Sequence, residues 1–547
     1  GNAVTFSYDS AGRLIGKTFL ADSSKNQIFA YDQSTNGQGR LTTATDIHGT
    51  TTYIYNGFGD VISEARVLGG QTYTTSFGHN GLGQVTSITY PSGREVQITR
   101  DALGRVTQIR TSASGGNWET VASNINWAPF GPLVSFDAHN GASTTRNHDQ
   151  SYRLTSIEVD KPSTGDVLNK SFGRDPVGRI TSITDNADSS RNASFEYTQD
   201  GRLSRAVGVW GDRRWTYDAV GNRLSQADYS GGALQSQSNY SYVSGSNKLD
   251  MVQSASSSRD LTYTAAGDIE QDVRNNTSAP TDTFDYVYDG SGRLTEIKKD
   301  TIPQATYGYD AQNRRVLRTL ASGASVHYLF DASGRPLAEH EATTGAVLKE
   351  YVWLGDMLIA MAENNQVFAV HGGHLGQPLA MTDASGNVVW DAEFSPFGAA
   401  LPTTSTADVS LGLPGQWAQA EAGLIHNWHR DYDPSLGRYL QADPLGLAAG
   451  QSLYGYAYGD AVNVIDPDGR HPLVIAGVCS AGGCELLLGG LAIGIAWLGW
   501  SNSQQDDEFL ATPFSTGQNA CGPGPFVSQR GEARGGAANP AFEECMN

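Results

Sequence analysis

Two Asp-Pro motifs near the C-terminal end of the chain carry residues suited to acid–base chemistry. One begins at Asp443 and reads Asp-Pro-Leu-Gly-Leu, and the other begins at Asp466 and reads Asp-Pro-Asp-Gly-Arg. Two carboxyl groups that lie close together cannot both ionise easily, so one of them keeps a proton at neutral pH. The ionised carboxylate can then activate water, while the protonated carboxyl polarises a carbonyl group. The pair is therefore a candidate acid–base site.

Arg430 and Asp431 stand shortly before the first motif and extend this constellation. A guanidinium group can hold a carboxylate in place or stabilise a developing oxyanion. The competing interpretation is purely structural, because Asp-Pro-x-Gly is a good turn sequence by itself. Asp433-Pro434 begins another turn of this kind and needs no chemical role.

An internal repeat precedes these motifs and must position them. Its clearest form is aromatic-Asp-x-x-Gly-Arg-Leu. Clear copies are Tyr8–Leu14, Tyr217–Leu224, Tyr288–Leu294 and Phe330–Arg335, and looser copies are Tyr55–Val61, Arg100–Val106, Arg174–Ile180, Tyr263–Ile269 and Tyr309–Val316.

The repeat predicts strands joined by tight turns. Successive turn glycines, such as Gly59, Gly83 and Gly104, recur every 20 to 25 residues, which fits two strands and two turns per unit. The Asp carboxylate can bind backbone N–H groups ahead of it, and Gly takes the position that needs a positive φ. Flanking segments alternate apolar and polar residues, the period of a half-buried strand. Stacked units should therefore form one continuous all-β sheet.

This pattern resembles the YD repeat of the RHS family, which includes C components of insecticidal toxin complexes, polymorphic toxins and teneurins. The resemblance covers residues 1 to about 470. It implies a long, spiralling antiparallel sheet that closes into a hollow shell, or cocoon, followed by a short irregular or helical C-terminal tail.

Residues 350–470 resemble the RHS-associated core. They contain, in the family's order, His371-Gly-Gly-His-Leu-Gly-Gln-Pro, Ser395-Pro-Phe-Gly and Leu413-Pro-Gly-Gln. We therefore expect a repeat shell over residues 1–349, a core that plugs the shell over 350–470, and a variable tail over 471–547. Gly373 stands where the family usually has Asp.

The two Asp-Pro motifs, with 18 residues from Ala448 to Ile465 between them, resemble the paired motifs of self-cleaving RHS proteins. Carried over by position, the resemblance makes Asp443 and Asp466 the catalytic aspartates, with Arg430 and Asp431 assisting. The cut falls between Arg470 and His471, as a single-turnover aspartyl autoproteolysis.

Two departures bear on this expectation. The family's second motif ends in Leu, where this chain has Arg470, and Ala461 replaces a Pro five residues before Asp466. A site that recognises an apolar residue before the cut rejects Arg, because the charge loses hydration in an apolar pocket. Cleavage that is slow or absent is thus the alternative expectation.

Composition limits the partners. The formal net charge is -20, which argues against nucleic acid as the main partner of the shell, because such binding needs a basic face. The sequence carries no cofactor motif. His371 and His374 form a metal pair in one interpretation, but two histidines that hydrogen-bond within a turn are favoured, because no further ligand stands near them.

The tail is distinct in composition. Its segment 472–500 carries one charged residue, Glu485, and its longest uncharged stretch is 15 residues, shorter than the roughly 20 of a spanning helix. We expect an apolar segment enclosed by the shell, with membrane contact as the alternative. All four cysteines lie in the last 77 residues, and two disulfides or four thiols both remain open. The tail's activity stays undetermined: a plug, a linker, the start of a toxin, or a small membrane-active toxin.

The first function hypothesis is a shell that encapsulates and delivers its own C-terminal toxin or effector segment, used against a competing cell or a host. A preceding N-terminal region, a capping subunit or a second copy would close the shell, and a secretion apparatus would export it. No signal peptide is visible, and a secreted or cell-surface bacterial location is expected. The alternative is a teneurin-like adhesion shell with an inactive core.

Overall fold

The described residues between 3 and 405 form a run of β-strands. The computed structural model describes residues 3–129, 131–161, 165–419, 421–470 and 472–474. Thirty-six strands make one sheet, and each pairs antiparallel with the next along the chain. The helical turns in the described residues are four 3-10 turns: Ser23–Lys25, Ser189–Arg191, Gly446–Ala448 and Ala457–Gly459. The predicted all-β class is confirmed.

The strands of this sheet are numbered β1 to β36 in chain order. Their bounds are Val4–Tyr8, Leu14–Phe19, Gln27–Tyr31, Leu41–Asp46, Gly49–Tyr55, Val61–Leu68, Gln71–His79, Val85–Thr89, Glu95–Arg100, Val106–Ser112, Glu119–Trp127, Leu133–Ala138, Ser143–His148, Leu154–Lys161, Gly165–Arg174, Ile180–Asp185, Ala193–Tyr197, Leu203–Gly208, Gly211–Tyr217, Arg223–Ser230, Ala233–Tyr242, Leu249–Gln253, Ser257–Tyr263, Ile269–Asn276, Ala279–Tyr288, Leu294–Lys299, Ile302–Tyr309, Arg315–Leu320, Ser325–Phe330, Pro336–Glu341, Val347–Leu354, Met357–Glu363, Gln366–Gly372, Pro378–Thr382, Val388–Phe394 and Ala400–Ser405.

The repeat turn is a closed network of local bonds. In the turn between β15 and β16, Asp175 Oδ1 accepts the backbone N–H groups of Val177 at 3.1 Å and Arg179 at 2.9 Å. Its Oδ2 accepts Arg179 Nε at 2.7 Å. Gly178 takes a φ of 95°, which favours glycine. Burial acts to raise the pKa of Asp175, but the bonds and charge of Arg179 outweigh it and lower that pKa.

The aromatic residue that precedes each turn ties one repeat to another. The hydroxyl of Tyr217 donates to the carbonyl of Leu203 at 2.8 Å, and the hydroxyl of Tyr309 donates to the carbonyl of Leu294 at 2.8 Å. Arginines also lie over these rings, as Arg293 does over Tyr309 at 5.1 Å from the ring centroid. The hydroxyl of each of these tyrosines therefore finds its hydrogen-bond acceptor in the preceding repeat.

The sheet returns on itself, because residues more than 200 positions apart meet along a seam. Arg94 Nε contacts Glu350 Oε2 at 2.6 Å, and the hydroxyl of Tyr90 donates to the carbonyl of Tyr351 at 2.6 Å. Asn140 Nδ2 donates to Thr382 Oγ1 at 2.7 Å further along the same seam. These contacts join β8–β13 to β31–β35, which is the path of a spiral.

Two small sheets follow the spiral. One contains β37 (Trp417–Ala418), β38 (Ile425–Asn427), β39 (Arg430–Asp433) and β40 (Arg438–Tyr439), and the other pairs β41 (Val464–Ile465) with β42 (Leu473–Val474). Tyr432, Tyr439 and Tyr456 of this region pack in one buried cluster with Ile157 and Leu203 of the large sheet. The spiral thus supplies the wall against which the last elements fold.

The sequence-based boundary at residue 350 lies within β31, and the large sheet continues to Ser405. Of the tail predicted over 471–547, only residues 472–474 are described, so the apolar segment and the four cysteines lie outside the described residues. Within the described residues, no helix has the length and apolar character needed to cross a membrane.

Candidate active site

Arg430 is the centre of the site. It opens β39, where the strand alternation turns its side chain away from that of Asp431. The side chain is 1% exposed, and its guanidinium lies over the Tyr439 ring at 3.7 Å from the ring centroid. Guanidinium groups are suited to such an interior position because they combine five donors with a flat stacking face.

Both sequence-predicted aspartates contact the same nitrogen of this arginine. Arg430 Nη2 lies 2.7 Å from Asp443 Oδ2 and 3.2 Å from Asp466 Oδ2. Asp443 follows β40, and its own N–H is bound by the Leu453 carbonyl at 2.8 Å. Asp466 follows β41 directly. Two motifs separated in sequence therefore converge on one buried cation.

Two further side chains complete the site, and sequence reasoning did not single them out. The hydroxyl of Tyr439 donates to Asp466 Oδ2 at 2.8 Å. Asn427 Nδ2 bonds the Tyr439 hydroxyl at 2.7 Å and the Asp466 carbonyl at 2.7 Å. Both side chains are fully buried. They come from β40 and β38, so only the pairing of the small sheet brings them to Asp466.

Arg470, the first residue of the predicted cleavage bond, lies in the segment that connects β41 to β42. Within that loop, Arg430 Nε donates to the Gly469 carbonyl, and the N–H of Arg470 donates to Asp466 Oδ1 at 3.0 Å. Arg470 therefore sits beside the aspartate pair. His471, the other residue of the predicted cleavage bond, lies outside the described residues.

The Leu-Pro-Gly-Gln motif supports this loop. Gly415 has a φ of 82°, and a Cβ built there would lie 1.7 Å from the carbonyl oxygen of Pro467. Only glycine allows such a close approach of two backbones. The motif thus packs directly against the backbone of Pro467, the residue that follows Asp466.

Burial governs the charge of Asp466. It raises the pKa of Asp466 to about 6, with the nearby negative charges of Asp468 and Asp443 acting in the same direction. Arg430 and the Tyr439 hydroxyl oppose this rise but do not cancel it. A carboxyl group with such a pKa carries a proton in mildly acidic solution, as a general acid requires.

Asp431 lies in a separate network. Its carboxylate contacts Arg315 Nη2 at 2.8 Å and Gln441 Nε2 at 3.0 Å. Burial acts to raise the pKa of Asp431, but Arg315 and His426 outweigh it and hold that pKa well below its usual range. The structure therefore brings Arg430, Asp443 and Asp466 together and places the Asp431 carboxylate against β28.

The two histidines considered as a metal pair have different partners. His371 Nε2 contacts Thr382 Oγ1 at 2.9 Å, and His374 Nε2 contacts the Val462 carbonyl at 3.0 Å. In the described part of the chain, no group of three or more metal-ligating side chains is gathered.

The loop of Asp466 repeats the pattern of the shell turns, Asp-x-x-Gly-Arg. In both settings, the first Asp accepts the N–H of the arginine four residues later, at 3.0 Å from Arg470 and at 2.9 Å from Arg179. The arginine side chains differ: Arg179 binds Asp175, whereas Arg470 Nε donates to Asp468 Oδ2 at 3.2 Å. Alignment of this loop with the repeat turns is the sequence signal that identifies Asp468, because Asp468 is a charged residue at a position where the repeat turns of this pattern have uncharged ones.

Comparison with known proteins agrees with this architecture. A family model described as teneurin YD-shell matches residues 133–450, more than half of the chain, and an RHS repeat model matches residues 79–116. The chain belongs to the teneurin YD-shell family.

This YD-shell chain is similar to several bacterial proteins whose names describe toxins. It is 24% identical to the toxin protein Tse5 of Pseudomonas aeruginosa, over 81% of this chain and 38% of that protein. It is 26% identical to the double-stranded DNA deaminase toxin A of Burkholderia cenocepacia, over 76% of this chain and 30% of that protein. The tRNA nuclease WapA of Bacillus subtilis is 25% identical, over 68% of this chain and 15% of that protein.

Solved structures agree on the fold. The crystal structure of TcdB2-TccC3 superposes with a TM-score of 0.65 at 18% identity, over 85% of this chain and 27% of that one. The similarity supports the YD-shell architecture itself. The chain spans well under half of the length of the relatives described here.

Proposed function

We propose that this YD-shell chain carries its own C-terminal segment as the cargo of a bacterial toxin and cuts the connection between Arg470 and His471. The observation that carries the proposal is the convergence of Asp443 and Asp466 on Arg430, beside the loop that contains Arg470. The names of the toxin relatives support the delivery role.

The proposed reaction is hydrolysis of one peptide bond. Asp443 takes a proton from water, the hydroxide adds to the Arg470 carbonyl carbon, and the bond to the His471 nitrogen breaks. Asp466 gives its proton to the leaving nitrogen, consistent with its pKa of about 6. Arg430 holds both carboxyl groups, and Tyr439 and Asn427 orient Asp466. Asp431, through Arg315 and Gln441, fixes β39 and so positions Arg430.

The cut would not release the tail by itself. Leu473 and Val474 of β42 pair with Ile465 and Val464 of β41, so the segment that follows the cut is still paired with a strand that precedes it. Two residue pairs are a weak attachment, since an isolated hairpin is only marginally stable in water. The cleaved tail therefore stays with the shell until the pairing is disrupted.

In this proposal, residues 1–349 serve as the shell wall, 350–470 as its end and cutting core, and 471–547 as the cargo. The chain spans only part of its relatives, so a preceding region or a separate subunit would complete the enclosure. The protein would act outside the producing cell, in a secreted or surface-bound form, after export by a secretion apparatus.

Intact mass of the purified chain in denaturing solvent tests the proposal, with Asp443→Asn as the inactive variant. Asp101→Asn, in a shell turn, is the matched control. The wild type and the control should give two fragments that meet at Arg470 and His471, and Asp443→Asn should give one full-length mass. Native size exclusion should show both wild-type fragments eluting together. A single full-length mass in the wild type would contradict self-cleavage and favour an adhesion shell with a structural core.

A further inference from the structure

Six stretches of the chain read Asp-x-x-Gly-Arg, and only one of them has a charged residue at its third position. Five belong to the repeat and have Ala11, Leu103, Val177, Ser291 or Ser333 there, whereas the sixth, in the core, has Asp468. The Asp, Gly and Arg of the pattern are the same in all six stretches. The charge at the third position therefore distinguishes the turn of the candidate active site from the five repeat turns of this pattern.

In the five repeat turns, the arginine binds the first aspartate of its own turn. The Nε to Oδ2 distances are 2.7 to 2.8 Å for Arg13, Arg105, Arg179, Arg293 and Arg335. In the turn of Asp175, burial acts to raise the pKa of the aspartate, but the bonds and charge of its arginine outweigh burial and lower that pKa. An aspartate held in this way is a permanent carboxylate and a poor proton donor.

In the core turn, the arginine is bound elsewhere. Arg470 Nε donates to Asp468 Oδ2 at 3.2 Å, and both side chains are one quarter exposed. Asp466 Oδ2 is instead bound by Arg430 and by the hydroxyl of Tyr439. The difference matters because Arg470 stands next to the bond that the proposed reaction breaks.

Asp468 is itself held by the core. Its carbonyl accepts both the N–H of His429, at 3.3 Å, and a contact from His429 Nδ1, at 2.9 Å. Its Oδ1 also accepts the N–H of Arg470 at 3.0 Å. The turn between β38 and β39 thus fixes the backbone of the residue whose carboxylate receives the Arg470 side chain.

We propose that Asp468 is a specificity-determining positioning residue, which binds Arg470 so that an arginine can precede the cut without pairing with Asp466. The inference rests on the proposed self-cleavage. It explains how this site accepts Arg where the family resemblance led us to expect Leu. Asp468 also places a second negative charge near Asp466, and this favours the protonated form of that carboxyl group.

The test compares three variants of the full chain made by cell-free translation: Asp468→Ser, Arg470→Leu and the double variant. Ser is the residue that two repeat turns have at this position. In Asp468→Ser, the Arg470 side chain should pair with Asp466, as the arginines of the repeat turns pair with their aspartates. This pairing should lower the pKa of Asp466 by about one unit, which slows cleavage about tenfold at neutral pH. Intact mass over time gives the rate of cleavage for each chain.

The double variant gives the decisive result. Without Arg470, its guanidinium can no longer pair with Asp466, so Asp468→Ser/Arg470→Leu should cut faster than Asp468→Ser. The double variant should be slower than Arg470→Leu only by the smaller effect of the lost Asp468 charge on the pKa of Asp466. Restored cleavage also shows that Asp468→Ser does not unfold the core. In addition, the rate of Asp468→Ser should begin to fall at a lower pH than that of the wild type, because Asp466 loses its proton sooner.

Each remaining outcome has a clear meaning. If Asp468→Ser cuts as fast as the wild type, or if the double variant stays as slow as Asp468→Ser, the role of Asp468 is refuted while self-cleavage stands. If the wild type does not cut, the proposed function fails and this inference fails with it.

Discussion

Asp175 and Asp466 begin turns of the same sequence pattern, one in the repeat sheet and one in the core. Asp175 is bound by residues within its own turn and is partly open to solvent. Asp466 is fully buried and is bound by Arg430 from β39 and Tyr439 from β40. The pKa of the first is lowered, and the pKa of the second is raised to about 6.

The motif alone therefore does not decide the charge state of its aspartate. In the sheet, the carboxylate of Asp175 accepts its hydrogen bonds from residues of its own turn and so stabilises that turn. In the core, contacts from Arg430 and Tyr439 replace the side chain of the local arginine, and burial raises the pKa of the carboxyl group. In the proposed function, the same five-residue unit is reactive where the surrounding fold supplies the side-chain partners of its aspartate.

The largest expected effect that tests this contrast comes from the two arginines. Arg430→Met leaves Asp443 and Asp466 buried without their cation, which should lower the free energy of unfolding of the core by about 3–5 kcal/mol. The matched variant Arg179→Met removes a partly exposed pair and should cost less than about 1 kcal/mol. Urea unfolding followed by tryptophan fluorescence measures both. Equal losses of stability in the two variants would contradict the claim that Arg430 and Arg179 hold their aspartates in different environments.

A smaller effect, of opposite sign in the two turns, appears as a function of pH. Because the folded-state pKa of Asp466 is raised, its ionisation opposes folding, so the wild type loses stability as pH rises from about 4 to above 6. Asp466→Asn lacks this loss and should gain in melting temperature relative to the wild type over that range. Asp175 has a lowered pKa, so its stabilising contribution is present at neutral pH and is lost on acidification.

Melting temperatures of the wild type, Asp466→Asn and Asp175→Asn from about pH 2 to about pH 8 test this opposition, because Asp175 loses its contribution only below its ordinary pKa. The gap between Asp175→Asn and the wild type should widen toward neutral pH, while Asp466→Asn gains on the wild type. Parallel pH profiles for both variants would show that the two carboxyl groups share one environment and would refute the assignment of Asp466 as the proton donor.

Much of the repeat sheet was predictable, because its bonds are short in sequence. The turn from Asp175 to Arg179 is closed by contacts within five residues, so the residues themselves specify it. The seam was not predictable, since pairs such as Arg94 and Glu350 meet only when a full turn of the spiral is complete. Nothing in the local sequence of either residue identifies its partner.

The site was predictable in part for the same reason. The two motifs and Arg430 stand out by pattern, and the structure brings them together. Tyr439 and Asn427 reach Asp466 only through the pairing of β38, β39 and β40. The direction of the Asp431 side chain follows from strand alternation, but its partner Arg315 lies over 100 residues earlier in the chain.

The most direct test of the contrast between the two turns is intact mass of Asp466→Asn beside Asp175→Asn, each measured in denaturing solvent. The two substitutions are identical and fall at the same position of the same pattern. The account predicts one full-length mass for Asp466→Asn and two fragments that meet at Arg470 and His471 for Asp175→Asn. Fragments in both variants, or in neither, would contradict the claim that the core has turned this motif into a proton donor for self-cleavage.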